Sequence, residues 1–303
     1  MKYLFIILLF IFLYFYLNNI YYNKNMKLVF FGDSMFGRNG NKFIEDPFIN
    51  VKHVLNNSDY VFFNLETTIS NPLLSNDYKT DKVFNYQSNG DQLLSLKKYT
   101  KDKPVFVSIV NNHSLDYGVK GQKNTKNFLK DNNFLYNSKQ KVEYDNIIFL
   151  NATDHCGCQN EKLWSDNIWM IDYNDLEKVY RRIDGLDKKK LIVFSIHWGS
   201  NWVKGDMPEH IKAFGRNLID HGVNIVFGHS AHHIVANPIE KYNNGIIIYG
   251  LGDFINDYSI NKSYKSDEAL ICIIKKKRNK LEPELIKVKR KFVDKTSSIP
   301  FLS

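Results

Sequence analysis

Residues 219–258 read IDHGVNIVFGHSAHHIVANPIEKYNNGIIIYGLGDFINDY, and this stretch shows the pattern from which we infer the fold. Two short apolar runs in it, 223–227 and 245–251, predict buried β-strands. The polar sequence GHSAHH follows the first run directly. Similar apolar runs occur throughout the chain, at 27–31, 60–64, 105–110, 146–150, 191–196 and 269–274.

Amphipathic stretches between these runs predict helices, the first of which has Asp46 as its N-cap and Pro47 at its first position. Strands alternating with helices predict an α/β fold. In the last third of the chain the strands follow one another with few helices between them, which predicts antiparallel pairing and either a mixed sheet or two stacked sheets. The predicted helices span 47–56, 119–131, 174–183 and 208–220.

The composition excludes several classes of protein. The chain has 303 residues, of which 44% are hydrophobic and 24% charged, so it can form a packed core and is not mainly disordered. Its three cysteines exclude a disulfide scaffold. A net charge of +9 favours anionic partners. The lysines are scattered, however, and their densest clusters lie in or beside predicted strands, so nucleic acid is not the expected partner.

The amino-terminal segment predicts a membrane anchor. Residues 3–17, YLFIILLFIFLYFYL, are continuously apolar or aromatic, and no charge occurs between Lys2 and Lys24. No pair of small residues near the end of this run offers a cleavage site, so we expect an uncleaved signal anchor. Lysines on both sides leave its orientation open. We therefore divide the chain into an anchor, residues 1–25, and one domain, residues 26–303.

Polar residues of metal-ligand type follow five of the predicted strands. The carboxyl ends of neighbouring strands meet at one edge of an open α/β sheet, where loops from several strands converge. We therefore expect these side chains to form one site. They are Asp33, Glu66, Asn112, His113, His197, His229 and His232.

The chemistry of this set predicts hard divalent cations as cofactors. Carboxylate, amide and imidazole donors without a thiolate suit Mn, Fe, Zn or Mg better than a soft metal. A carboxylate able to bridge two ions, flanked by Asp, Asn and His, is the composition of a two-metal hydrolytic centre.

At these residues the chain resembles the bacterial capsule-biosynthesis family CapA, also called PgsA. The resemblance implies an α/β fold of the calcineurin-like metallophosphoesterase type, with two stacked mixed sheets flanked by helices. It also implies a role in the synthesis of poly-γ-glutamate or polyglutamine. The motifs that carry it are FGDSMFGR (31–38), NLETTIS (64–70), NNHSLDYG (111–118), SIHWGSNW (195–202) and the stretch 219–258.

The resemblance also implies individual roles. Asp33 resembles a ligand of the first metal, and Glu66 stands where a bridging carboxylate belongs. Asn112 and His197 resemble ligands of the second metal. His113 resembles the histidine that protonates the leaving group or stabilises developing charge. In GHSAHH, His229 and His232 are the expected ligands and His233 is not, while Asp253 is expected to position His232.

Two residues depart from the phosphoesterase pattern. Met35 stands where Asp-x-His would place a histidine, and Glu66 replaces the usual bridging aspartate. The first metal site is therefore expected to be weak or empty. Both changes are features of the capsule family.

The expected function is that of an accessory protein in synthesis, transport or localisation of the polymer. It would be anchored in the membrane by one helix, with its soluble domain outside the cytoplasm or in a lumen. Its partners would be an anionic polymer or phosphate-containing substrate and a polymer synthase complex. Two alternatives stay open, an active phosphoesterase or polymer hydrolase that uses His113, and a non-catalytic module that binds polymer or recruits a synthase.

Overall fold

The computed structural model describes residues 6–7, 9–13, 25–37, 46–80, 82, 84–156, 161–256, 260–292 and 298–302. Within these ranges the chain forms an eight-stranded sheet, a six-stranded sheet and a two-stranded ribbon, together with helices. The predicted α/β class is confirmed.

In chain order the strands are β1 (Met26–Ser34), β2 (Tyr60–Leu65), β3 (Thr68–Ile69), β4 (Gln87–Ser88), β5 (Val105–Ser108), β6 (Leu135–Asn137), β7 (Val142–Tyr144), β8 (Ile147–Thr153), β9 (Leu191–His197), β10 (Ile225–His229), β11 (Ile239–Tyr242), β12 (Gly245–Ile248), β13 (Asp253–Ile255), β14 (Glu268–Lys277), β15 (Lys280–Phe292) and β16 (Ser298–Leu302).

The helices of the domain are α1 (Lys52–Asn56), α2 (Asp91–Leu94), α3 (Lys97–Thr100), α4 (Gly118–Asp131), α5 (Glu161–Asn167), α6 (Glu177–Asp184) and α7 (Glu209–Asp220), with 3-10 turns at Ile49–Val51 and Asn76–Tyr78.

Both large sheets are mixed. The first has the order β16-β15-β14-β1-β2-β5-β6, and β13 also pairs with β1. Its strands β1, β2, β5 and β6 run parallel, whereas β14, β15 and β16 are antiparallel to their neighbours. The second sheet has the order β11-β12-β10-β9-β8-β7, with a parallel centre and an antiparallel strand at each edge.

Successive residues of each strand face opposite sides of its sheet, so each sheet packs against the other sheet on one side and against helices on the other. The helices and the two sheets thus form four layers. Leu28 and Phe30 of β1 face the second sheet, where they pack with Phe227 of β10 and other apolar residues. Val29 and Phe31, the alternate residues, pack in a separate cluster with residues of helices α1 to α4. The outer face of the second sheet is covered in the same way by α6 and α7. Because both faces of each central strand are buried, these strands are continuously apolar.

The predicted elements are present with shifted bounds. The predicted helix 47–56 is divided into a 3-10 turn and the short α1, and its predicted start is wrong. The first helical residue is Ile49, so Asp46 and Pro47 lie before the N-cap, although the Asp46 carboxylate accepts the N–H of Phe48 at 3.3 Å. The predicted antiparallel pairing of the last third holds for β14 to β16. It is wrong for β12, which runs parallel to β10 on one side.

Most of the predicted membrane anchor lies outside the described residues. Within it, residues 6–7 and 9–13 are helical, and their apolar side chains are exposed. Among the helices that the structure describes, none is both long enough and apolar enough to span a bilayer.

The aromatic stack between the sheets gives a test of the fold. The Phe62 ring lies 4.7 Å from both the Phe30 and the Phe106 rings, and it is fully buried. We expect Phe62→Ala to lower the free energy of unfolding by about 3–5 kcal/mol, because it removes apolar burial and leaves a cavity. Val119→Ala, at a position that is 47% exposed on α4, should change it by less than about 0.5 kcal/mol. Urea denaturation measures both, and equal effects would contradict the two-sheet core.

Candidate metal centre

The predicted site residues lie where the carboxyl ends of the two sheets converge. Asp33 near the end of β1 is in register with Asn64 of β2 and with Asp253 of β13. His197 ends β9 and is in register with His229, which ends β10. Parallel pairing therefore brings these strand ends to one edge, as the sequence pattern predicts.

Asp33 makes hydrogen bonds to residues at strand ends of both sheets. One of its carboxylate oxygens accepts a hydrogen bond from the side-chain amide of Asn64 at 2.8 Å. The other accepts the backbone N–H of Ser230, just after β10, at 3.1 Å. The Nδ1 atoms of His229 and His232 each lie 3.8 Å from this carboxylate. Asp33 is only 1% exposed, so its charge depends on these neighbours.

Close backbone contacts hold Asp33 in this place. A Cβ on Gly32 would lie 1.9 Å from the carbonyl oxygen of Gly252, so only glycine fits there. Ser230 has φ of 106°, a conformation that costs about 1–3 kcal/mol for a residue with a side chain. The strained residue is the one whose N–H donates to Asp33, so the backbone strain lies within the site.

His197 and His229 form a buried imidazole pair. Their Nδ1 atoms are 2.9 Å apart, and Nε2 of His229 lies 2.9 Å from the hydroxyl of Ser195. The Nε2 atom of His197 is buried and has no hydrogen-bond partner among the described residues. It lies 3.9 Å from Oε1 of Glu66, so it is directed at the centre of the site.

His232 belongs to a charged cluster on the other side of Asp33. Its Nδ1 lies 2.7 Å from Oδ1 of Asp253, the contact that the sequence analysis expects. The other oxygen of Asp253 accepts a hydrogen bond from the amide of Asn256 and lies 3.9 Å from the guanidinium of Arg290. The Asp253 carboxylate is therefore held on both sides, which fixes the ring of His232.

Glu66 is the most unusual residue of the site. Its side chain is fully buried, and neither carboxylate oxygen has a hydrogen-bond partner among the described residues. Oε1 lies 3.7 Å from Nε2 of His113 and 3.9 Å from Nε2 of His197. A buried carboxylate without partners is unfavourable by several kcal/mol unless a cation or a proton neutralises it.

His113 is held by a buried ion pair. Its Nδ1 lies 2.6 Å from Oδ2 of Asp116, and the ammonium of Lys82 donates to the other oxygen of Asp116 at 2.8 Å. Lys82 also donates to the backbone carbonyl of Asn112. Because Nδ1 is engaged, Nε2 is the atom of His113 that faces Glu66. The side-chain Oδ1 of Asn112 is buried and has no hydrogen-bond partner within the described ranges.

Burial and charge move the pKa values of the acidic side chains out of their ordinary range. Burial raises the pKa of Asp33 to about 7. Burial, with the charge of Asp33 beside it, raises the pKa of Glu66 well above its ordinary value. Both shifts show that the negative charge on these carboxylates is poorly compensated by the protein alone.

The histidines divide into two kinds. Burial lowers the pKa of His113, and it lowers the pKa values of His197 and His229 well below the ordinary value, so the last two rings are neutral. Burial also opposes protonation of His232, but Asp253 and the other nearby carboxylates outweigh it and raise its pKa to about 10. Neutral imidazoles are the form that binds metal ions.

Two groups of donors have metal-binding geometry. In the first, ligand atoms of Asp33, His197 and His229 lie within 4.8 Å of one another, and in the second those of Asp33, His232 and Asp253 do. Asp33 is common to both. The unpartnered oxygens of Glu66 and the Nε2 of His197, in the part of the chain that the structure describes, are the donors that a hard divalent cation requires. The residues present therefore fit such an ion.

The structure thus brings most of the predicted residues together through contacts of 2.9 to 3.9 Å. Asn112 precedes His113 in the chain, and its buried Oδ1 has no hydrogen-bond partner among the described residues. His233 belongs to neither of the two donor groups found among the described residues. The residues in contact are Asp33, Glu66, His113, His197, His229 and His232.

Sequence reasoning missed several supporting residues. Asn64 bonds Asp33, Asp116 and Lys82 hold His113, and the ring of His155 lies 5.3 Å from that of His197. Asn64 and Asp116 stand in the motifs quoted above, so their position was a usable signal. Lys82 lies outside the helices and strands, so no hydrophobic periodicity in the sequence could have indicated its role.

The comparisons with known proteins agree with these motifs. The model of the family described as "Bacterial capsule synthesis protein PGA_cap" matches residues 27–258. The chain is 29% identical over 262 residues to the "PGA biosynthesis protein CapA" of Bacillus subtilis, covering 80% of this chain and 66% of that protein. It is 26% identical over 275 residues to the "Capsule biosynthesis protein CapA" of Bacillus anthracis, with coverages of 82% and 64%.

A "Probable polyglutamine synthesis accessory protein" of Mycobacterium tuberculosis is 27% identical over 241 residues, covering 71% of this chain and 61% of that protein. The chain therefore spans less than two thirds of the length of these relatives.

Solved structures show weaker similarity. A hypothetical protein from Thermus thermophilus gives a TM-score of 0.49 at 10% identity and covers 86% of this chain and 99% of that one. A structure described as a novel phosphatase, from Mycoplasma pneumoniae, gives 0.48 at 10% identity, with coverages of 91% and 95%. At these values neither similarity carries a functional argument. The family match, in contrast, runs from β1 past β13 and includes every strand end that builds the site, so the chain belongs to the bacterial capsule synthesis family PGA_cap.

Proposed function

We propose that this protein assists the synthesis, transport or localisation of a polymer of the poly-γ-glutamate or polyglutamine type, using a divalent-metal hydrolase site. Membership of the PGA_cap family and the names of the relatives support the polymer class. The calcineurin-like metallophosphoesterase fold is part of the proposal and is supported by the two stacked mixed sheets.

The observation that carries the metal site is the Glu66 carboxylate. It is fully buried, has no hydrogen-bond partner among the described residues and faces two imidazole Nε2 atoms at 3.7 and 3.9 Å. Asp33 is nearby and is buried as well. Two carboxylates in one dry site repel each other, and bound cations relieve both the repulsion and the cost of desolvation. Asp33, Glu66, His197, His229 and His232 would hold the ions, with Asn112 beside them.

A bound divalent ion would supply activation of water and polarisation of the scissile group. The chain itself supplies position and proton transfer. Asp116 holds Nδ1 of His113, so Nε2 of His113 can exchange a proton with a leaving group at the centre. Lys82 fixes Asp116 in turn, which keeps the imidazole in one orientation. His232, held by Asp253, would lose its proton on binding an ion, because only a neutral imidazole can act as a ligand.

The proposal includes attachment to a membrane through residues 1–25, with the domain outside the cytoplasm or in a lumen. The uncharged, apolar sequence of residues 3–17 supports it. In that location the protein would meet a polymer at the cell surface and a synthase complex in the same membrane.

Metal content tests the site. We expect the purified full chain, reconstituted with Mn, Zn or Fe, to bind about two ions, and Glu66→Gln to lose at least one of them. Glu284→Gln is the matched control, because Glu284 is an exposed residue of β15 that pairs with Lys275. Elemental analysis measures the ions per chain. A wild-type chain without metal after reconstitution would remove the basis of the proposal.

Turnover tests the chemistry. With metal content unchanged, His113→Asn should reduce hydrolysis of a phosphoester or γ-glutamyl substrate about 10²- to 10⁴-fold, because the proton at Nε2 is lost. His53→Asn, which replaces an exposed histidine of α1, should leave the rate unchanged. The rates are measured at saturating substrate. A wild type that binds polymer and metal but hydrolyses neither substrate would show a binding module instead.

A further inference from the structure

A cavity lies directly beside the metal centre. It has a volume of about 430 Å³, within the range of about 300–1,000 Å³ that is usual for ligand pockets. Three segments of chain, 203–205, 233–236 and 263–265, form its walls. They come from the loop after β9, the loop after β10 and the turn before β14, so the same strand ends that build the metal site also shape this cavity.

Two adjacent histidines connect the cavity to the metal centre. His232 contacts Asp33 and Asp253, whereas His233 lines the cavity. The Trp202 ring lies close to both, 5.8 Å from the ring of His232 and 6.1 Å from that of His233. A ligand in the cavity would therefore be separated from the metal centre by about one aromatic ring.

His233 forms a rigid wall of the cavity. Its Nε2 accepts the backbone N–H of Val203 at 3.1 Å, and its Nδ1 lies 3.0 Å from the carbonyl oxygen of Ile234. Both ring nitrogens are thus occupied by the backbone. The rings of Trp202 and Tyr264 pack around it, with Tyr264 4.8 Å away. This wall is preformed, so binding against it loses little conformational entropy.

The charged residues that line the cavity are both positive. They are Lys204 and Lys265, which are exposed, and neither has an ion-pair partner among the described residues. No acidic residue is among the described residues that line the cavity. An ammonium group at each of two places, with aromatic and small apolar surface between them, suits a chain that carries carboxylates on aliphatic stems.

A larger cavity elsewhere does not have this character. It lies at the amino ends of β5 and β6, the edge of the sheet opposite the metal centre, and Asp102 and Asp131 are mixed with its lysines. Lys97 and Lys103 in it already donate to backbone carbonyls. It supplies a matched control rather than a rival site.

We propose that the cavity beside His233 is a subsite for an anionic polymer, and that Lys204 and Lys265 bind carboxylates of a poly-γ-glutamate segment next to the one at the metal centre. This inference rests on the proposed function, because it takes the polymer as the substrate class. It adds a binding site that determines specificity, outside the metal ligands.

The test is a binding titration of the full chain with poly-γ-glutamate, followed by the change in tryptophan fluorescence. We expect the double variant Lys204→Ala/Lys265→Ala to weaken binding about tenfold or more, with metal content unchanged. Lys101→Ala/Lys130→Ala removes the same charge from the opposite cavity and should weaken binding less than about twofold. Trp202→Phe should abolish most of the fluorescence change, because the Trp202 ring stacks on His233, which lines the cavity.

The outcomes separate this inference from the proposed function. Equal weakening by the two lysine pairs, or none by either, would overturn the subsite while leaving a metal-loaded centre untouched. Equal binding of a polymer whose carboxylates are methyl esters would also overturn it, as would a fluorescence change that survives Trp202→Phe. A chain that binds no metal, yet binds polymer through Lys204 and Lys265, would retain the subsite and refute the metal-dependent function.

Discussion

The structure is organised around buried negative charge at the place where two sheets meet. Asp33 leaves the central strand of the first sheet and accepts a backbone N–H from the second, across 197 positions in the chain. Removing a carboxylate from water is costly, so the elements nearby offer it donors or a positive ring. The glycine contact behind it and the strained serine beside it follow from the same requirement.

The environment gives the imidazoles different chemistry. His197 and His229 lie beside each other, fully buried, and they stay neutral. His232 lies among carboxylates and carries a charge. On one side of Asp33 the imidazoles are therefore already in the neutral form that binds metal, whereas on the other side His232 must first lose a proton. Burial and neighbouring charges alone account for this difference between residues of one type.

Much of this arrangement was predictable because parallel strands impose it. A polar residue at the carboxyl end of a buried parallel strand lies at one edge of the sheet. Asp33, Glu66, His197 and His229 could therefore be assigned to that edge from the sequence. The α/β class followed from the same runs. Position in a motif likewise predicted the contact between Asp253 and His232. The rest depends on contacts that sequence does not encode locally.

Short strands such as β11 and β13 are too brief for a period of two to identify them. The parallel pairing of β12 with β10 joins strands that are not consecutive in the chain, so the order of strands in the sequence does not indicate it. Lys82 reaches Asp116 from a loop, so only the folded chain shows the ion pair behind His113. That the Asp33 carboxylate belongs to both donor groups is likewise visible only in the folded chain, because distances of a few ångströms are not encoded in the spacing of residues.

The family match and the folding unit have different limits. The match ends at residue 258, yet β14, β15 and β16 follow it and complete the first sheet beside β1. Arg290 of β15 is buried and places its guanidinium near the carboxylate that fixes His232. The end of the family match therefore falls inside the first sheet, and a chain truncated there would lose the strand that carries Arg290.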